Sequence, residues 1–293
     1  MYSNKLYAPL RYPGGKARFA PFIASLMEGN GLAGGHYLEP YAGGAAVALE
    51  LLFHGAASHI HINDYDPAVY DFWVAVTKSP EALLRLLRDT PVTMEQWLLW
   101  RSVLRGEKKV SQLKRGFATL FMNRTNRSGI LNGGVIGGLG QGGNYRLDAR
   151  FKKDVLARRI ERIALSAKHI SVYQEDALAL LKRRVEFLPV KSLTYLDPPY
   201  YVKGQGLYRN FYQHSDHESI ARLLQSSKFR RPWVVSYDGV RQIREMYKAS
   251  KLLNYTLNYT AHRRYVGDEV MFFSPRLNVP DDELPQSPMA MAA

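Results

Sequence analysis

Cysteine is absent from all 293 residues, which removes disulfide scaffolds, thiol nucleophiles and cysteine-bound zinc from consideration. Acids are scarce relative to bases, giving a formal net charge of +14. No apolar run approaches the roughly 20 residues that cross a bilayer, so a membrane role is not expected. The N-terminus, MYSNKLYAPLRYPGGK, has neither the apolar stretch nor the small-residue cleavage site of a secretory signal. A cytoplasmic chain is the expectation. GxSxG, P-loop and HExxH patterns are also missing. The histidine pairs His59/His61 and His214/His217 have zinc-like spacing but no convincing third ligand, so they read as packing or solvated residues and no metal is expected.

What is present is a concentrated positive charge. Between Arg101 and Arg162 fifteen Lys or Arg accompany only four acids. Inside that span, FMNRTNRSGILNGG interleaves Arg, Asn, Gly and an aromatic, a mixture suited to gripping phosphates and reading base edges. Asn123, Arg124, Asn126 and Arg127 are therefore the candidate DNA-binding residues, with Arg263 and Arg264 in a later polar loop as backbone clamps. The expected partner is a polyanion, with charge alone leaving RNA as well as DNA open, and the sequence leaves monomer and dimer open.

Strand-like and helix-like segments alternate on both sides of this region. HYLEPY, SHIHIND, HISVYQ, SLTYL and PWVVSYD read as strands, separated by helical patterns, and LNYTLNY with EVMFFS reads as a closing antiparallel hairpin. A Rossmann-like α/β sheet is predicted, with residues 1–71 and 151–275 as one discontinuous catalytic domain. Residues 72–150 form its helical, basic target-recognition insertion, with the helical pattern running to Met122 and a glycine-rich loop beyond. Ser215 and Glu218 have capping-box spacing ahead of SDHESIARLLQ, and the aperiodic stretch 276–293 is expected to be a disordered tail.

Chemistry concentrates at Asp197-Pro198-Pro199-Tyr200, directly after the apolar strand SLTYL. Ligands of open α/β sheets bind beyond the carboxyl ends of strands. Two prolines stiffen this turn, so the Asp197 carboxylate and the Pro198 carbonyl can form a fixed pair of acceptors for the two hydrogens of an amino group. Tyr200 could stack on the base. Asp64 ends the second strand and can accept from both ribose hydroxyls of an adenosyl group. Gly43 and Gly44 let backbone approach a ligand before a helix whose amide end faces a carboxylate.

In order and spacing, LRYPGGK, YLEPYAGGAAV, HINDYDP, LDPPY, FYQHSDHESIARLL and WVVSYDG resemble segments of the Dam-like, D12-class family of adenine-specific DNA methyltransferases. The resemblance implies S-adenosyl-L-methionine (AdoMet) as cofactor, double-stranded DNA as partner and methyl transfer to N6 of an adenine flipped out of the duplex. It implies cofactor contacts for Tyr12, Lys16, Asp64 and Asp197, with Asp176 at the adenine ring, and Glu39 and Gly43 of the glycine-rich loop complete the expected cofactor-binding set. Tyr12 stands where the family often has Trp. Two rival readings remain beside it: methylation of cytosine N4, which presents the same two hydrogens, and a catalytically silent DNA-binding relative.

Overall fold

The computed structural model describes residues 7–12, 16–202, 212–259 and 265–279. Pro13 to Gly15 of the first motif, the loop with Arg263 and Arg264, and residues 280–293 of the expected tail lie outside the described residues. Seven strands form one sheet: β1 (Gly35–Glu39), β2 (Ala57–Asn63), β3 (Ile170–Tyr173), β4 (Ser192–Leu196), β5 (Trp233–Asp238), β6 (Lys251–Tyr259) and β7 (Tyr265–Phe273). Their spatial order is β3-β2-β1-β4-β5-β7-β6. The first five pair in parallel, whereas β7 enters antiparallel between β5 and β6. This is the expected Rossmann-like sheet, closed by the expected hairpin.

Parallel strands are buried on both faces, which requires near-continuous apolar runs and a helical layer on each side. In β4 and β5 successive residues divide between two cores: Leu193, Tyr195 and Val234 face one, while Leu196, Val235 and Tyr237 face the other. On the first face lie α1 (Ala20–Gly29), α2 (Ala46–Phe53), α3 (Pro67–Lys78) and α7 (Lys153–Leu165); on the second, α8 (Ala177–Arg183), α9 (His214–Leu224) and α10 (Arg241–Met246). Local chemistry fixes where helices begin. Asp66 caps α3 by accepting from the Ala68 amide, with Pro67 at the first helical position, and Asp176 caps α8 through the Ala179 amide. The capping box of α9 is formed by Gln213 and Asp216, two residues ahead of the Ser215/Glu218 pair expected from sequence. The helix starts at His214, so Ser215 is already inside it.

Within the expected insertion, residues 79–150 supply α4 (Pro80–Asp89), α5 (Met94–Leu104) and α6 (Gln112–Thr125), followed by glycine-rich turns. Trp97, Trp100, Phe117 and Phe121 belong to the same apolar core as Tyr37, Ile60 and Phe72 of the sheet and α3. Asp71 of α3 is buried and accepts from Gln112 and Arg115 of α6, and Thr119 donates to the Ala68 carbonyl. Helix α6 is thereby fastened to the sheet layer by polar bonds as well as apolar packing.

The alternation in SHIHIND resolves as two different faces. Ile60 and Ile62 enter the core, while His59 and His61 stack with His36 of β1, with ring centroids 4.7 to 5.1 Å apart. His61 is buried, and desolvation followed by its histidine neighbours lowers its pKa to about 3. It packs as a neutral ring bonded to His36 and Tyr173. Among the described residues no helix is long and apolar enough to cross a membrane.

Candidate active site

Strand order reverses direction between β1 and β4, and at such a switch point two strand ends diverge to leave a crevice. A cavity of about 870 Å³ opens there. Tyr12, Lys16, Glu39, Gly43, Asp64, Asp176 and Asp197, the complete set of expected cofactor contacts, all line it, as does Pro199. Four strand ends account for four of them: Glu39 ends β1, Asp64 follows β2, Asp176 lies just beyond β3 and Asp197 follows β4.

The loop after β1 is built around one glycine. Gly43 has φ of +46°, and a Cβ there would come within 2.8 Å of the Tyr12 ring, so a side chain is excluded both by backbone conformation and by space. Its amide donates to Asp64 Oδ2 at 2.9 Å and its carbonyl accepts from Trp73 Nε1 at 2.9 Å. The loop is therefore clamped before any ligand arrives. Asp64 Oδ1 accepts from the Asp66 amide at 2.9 Å. Each carboxylate oxygen keeps a second lone pair, enough for a pair of ligand hydroxyls. Burial is the largest influence on this carboxyl and pushes its pKa up to about 7, against the two amide bonds that favour the anion.

Glu39 is more enclosed. Its Oε1 accepts from the Ala48 amide at 2.9 Å and from the Tyr37 hydroxyl at 3.2 Å, and burial raises its pKa to about 8. Helix α2 has no side-chain cap of its own at Ala45, so Glu39 satisfies an amide of its first turn from β1. Asp176 is exposed at the cavity rim, with Oδ1 occupied as the cap of α8.

At the opposite wall, Asp197 Oδ1 accepts from Ser236 Oγ at 2.7 Å and lies 3.3 Å from Lys16 Nζ. Lys16 is itself buried and sits 3.6 Å from Glu269, 3.4 Å from the Tyr255 hydroxyl and 3.5 Å from the Tyr200 hydroxyl. One carboxylate oxygen of Asp197 is thus engaged by the protein. Tyr200 is buried in the core rather than on the cavity wall, with its hydroxyl toward Lys16. Pro198 is buried beside it. Sequence reading missed Ser236, Glu269 and Tyr255 as neighbours of the reactive turn. A lone acid in the apolar strand EVMFFS was the available signal for Glu269.

The expected DNA-reading segment needs correction at its first positions. Helix α6 runs to Thr125 instead of ending near Met122, and its stretch Gly116–Thr125 is buried throughout. Asn123 brackets Arg11, accepting from its amide at 2.7 Å and donating to its carbonyl at 2.8 Å, and also donates to the Gly129 carbonyl. Asn126 is fully buried, accepting from Trp97 Nε1 at 2.7 Å and donating to the carbonyls of Ile130 and Leu131 at 2.9 Å. Neither amide is free to read a base, because each is spent on backbone or indole groups that would otherwise be left unpaired. Arg124 faces the cavity, not an outer surface, and donates to the carbonyls of Pro9 and Ala8. Arg127 alone of the four is exposed.

A model of the D12 class N6 adenine-specific DNA methyltransferase family matches residues 12–261. Among curated proteins no match was found. Solved structures that the chain matches include SMU.776, assigned to the methyltransferases and complexed with SAH (10% identity, TM-score 0.36, covering 85% of this chain and 48% of that one). A protein from Listeria monocytogenes assigned to the class I S-adenosylmethionine-dependent methyltransferases matches at 10% identity and TM-score 0.38, over 91% of this chain and 63% of that one. LPL1258 from Legionella pneumophila matches at 12% identity and TM-score 0.34, over 91% and 86%. The chain spans about half to two thirds of the length of the first two.

Proposed function

The chain belongs to the D12 class of N6 adenine-specific DNA methyltransferases, and from that membership we propose that it transfers a methyl group from AdoMet to N6 of an adenine extruded from duplex DNA. The observation that carries the reading is the sharing of one cavity by Asp197, Asp64 and the Gly43 loop. A base confined to the stack cannot reach such a crevice, so the nucleotide must flip.

The residues present fit the cofactor. Asp64, with a lone pair to spare on each oxygen, accepts the ribose hydroxyls, and the clamped Gly43 loop gives backbone access beside the start of α2. Tyr12 and Asp176 line the same cavity. AdoMet supplies an electrophilic methyl sulfonium, so the protein's contribution is positioning and electrostatics.

Ser236 and Lys16 hold Asp197 Oδ1, leaving Oδ2 and the Pro198 carbonyl to accept the two hydrogens of the adenine amino group. That arrangement turns the nitrogen lone pair toward the methyl carbon. Bond formation makes the nitrogen cationic, and the carboxylate at its side stabilises that charge and accepts the departing proton. Asn123, Asn126 and Arg124 are best understood as supports for this site, and exposed Arg127 with the glycine-rich turns after it as the DNA-facing part of the insertion. Methylation-aware long-read sequencing of DNA from cells expressing the protein tests the reading. N6-methyladenine confined to one short motif is expected; unmodified DNA, or modified cytosine, would overturn it.

A further inference from the structure

Three arginines far apart in sequence close one end of the cavity: Arg11, Arg124 from the last turn of α6 and Arg159 from α7. They converge on a short length of backbone. Arg124 Nε donates to the Pro9 carbonyl at 2.5 Å and Nη2 to the Ala8 carbonyl at 3.3 Å, while Arg159 Nη1 donates to that same Ala8 carbonyl at 2.9 Å. Asn123 fixes the main chain of Arg11, and Gly129 packs so closely on the Arg11 carbonyl that a Cβ there would lie 2.5 Å from it. With φ of +78°, Gly129 is doubly constrained to be glycine.

Charge in this corner is not balanced. Among the described residues no carboxylate lies within ion-pair distance of Arg11, Arg124 or Arg159, and the next basic group, Arg150, repels Arg11 and Arg124. Arg124, 8% exposed, is the extreme case: burial and then repulsion from Arg159, Arg11 and Arg150 bring its pKa down to about 9. Clustering like charges out of water opposes folding unless an anion joins them. Backbone carbonyls use only part of the donor capacity of these guanidinium groups, each of which has five N–H bonds.

We propose that Arg11 and Arg159, above the buried Arg124, form an anion site that holds a backbone phosphate of the DNA beside the flipped nucleotide. The inference rests on the methyltransferase reading, which directs the base to Asp197 in the same cavity and so brings its flanking phosphates to the cavity's other walls. Arginine is suited to the task because its planar fork matches two phosphate oxygens at once. The cofactor's carboxylate is the competing anion. It is disfavoured because the amide end of α2, beside the Gly43 loop, already faces that carboxylate in the proposed arrangement.

The test uses the full chain with Arg11→Gln, Arg159→Gln and the double variant. Duplex DNA affinity is followed by fluorescence anisotropy across salt, and AdoMet affinity by calorimetry. The double variant, which empties the one-phosphate site, is expected to lower the log-log salt slope by about 0.9 and each single variant by part of that, with AdoMet affinity unchanged. Arg→Lys at either position should restore most of the slope. Removing one of the crowded charges should leave the melting temperature at or above that of the wild type, and inorganic phosphate should raise the wild-type melting temperature more than that of the double variant. Should Arg159→Gln fail to fold, Arg11→Gln decides alone, since Asn123 holds the Arg11 main chain and not its side chain. An unchanged slope in a folded variant overturns the proposal. So does weakened AdoMet binding with unchanged DNA binding, which would assign the anion to the cofactor. Wild-type methyl transfer is measured in parallel, so that failure of this site is distinguishable from failure of the enzymatic reading.

Discussion

Asp197-Pro198-Pro199-Tyr200 and Asn123-Arg124-Thr125-Asn126 look alike in sequence: each is a polar cluster following an apolar run. In the structure they have opposite fates. Asp197 leaves a strand at the edge of a crevice and faces the cavity, whereas Asn123 and Asn126 sit in and directly after the last turn of a helix whose final ten residues are all buried. A polar group where a parallel strand ends at the switch-point crevice borders open space, so part of it can serve a ligand. A polar group at the end of a buried helix meets loops whose own amides and carbonyls need partners, so it becomes structural.

That contrast makes the two clusters separable by experiment. Asp197→Ala should lower kcat at saturating AdoMet by at least about three decades, a loss of roughly 4 kcal/mol from the transition state, with the melting temperature nearly unchanged. Asn126→Ala should do the reverse. It orphans the Trp97 indole and two backbone carbonyls, so chemical denaturation should show a loss of about 3 kcal/mol in stability, with kcat of the remaining folded enzyme little affected. A stable Asn126→Ala protein with altered sequence preference would return that residue to the DNA face.

A third effect is smaller and depends on pH. Burial raises the Asp64 carboxyl from 3.8 to about 7, so the folded, ligand-free protein takes up a proton there. Stability from this group is therefore fully present below about 3.8 and is lost as pH rises through 7. Ribose hydroxyls favour the ionised form, so AdoMet affinity should move the opposite way, falling by about tenfold per pH unit below 7. Calorimetry at pH 6 and pH 8 checks this, and Asp64→Asn should bind more weakly at pH 8 and lose the dependence. Equal wild-type affinity at both values would mean that Asp64 is not the ribose partner. The smallest change belongs to exposed Arg127. Arg127→Ala should reduce the salt slope of DNA binding by about 0.9, leaving AdoMet affinity and folding alone; a destabilised Arg127→Ala protein would place that residue with its structural neighbours.

The sheet was legible because its strands are short, apolar and bounded by motif residues, and the Gly43 loop, Asp64 and Asp197 were legible because each directly follows a strand. Helix α6 was misread at its end. The apolar spacing runs out at Met122 ahead of the glycine-rich stretch, although continuing the helical turn places Asn123 one turn beyond Thr119, on the side already bonded to α3. Other neighbours could not be read at all. Ser236 and Glu269 reach Asp197 and Lys16 through sheet register, and Arg11, Arg124 and Arg159 meet through the packing of three separate segments. Tertiary proximity of that kind leaves no periodicity in one sequence.

The central claim, that the Asp197-Pro198-Pro199 turn holds an adenine amino group for methylation, is tested most directly by isotope transfer. Duplex DNA is incubated with tritiated AdoMet and either wild-type protein or Asp197→Ala, then digested to nucleosides and separated. The account predicts label in N6-methyladenine with the wild type and none with the variant; label in N4-methylcytosine, or equal N6-methyladenine from both proteins, would contradict it.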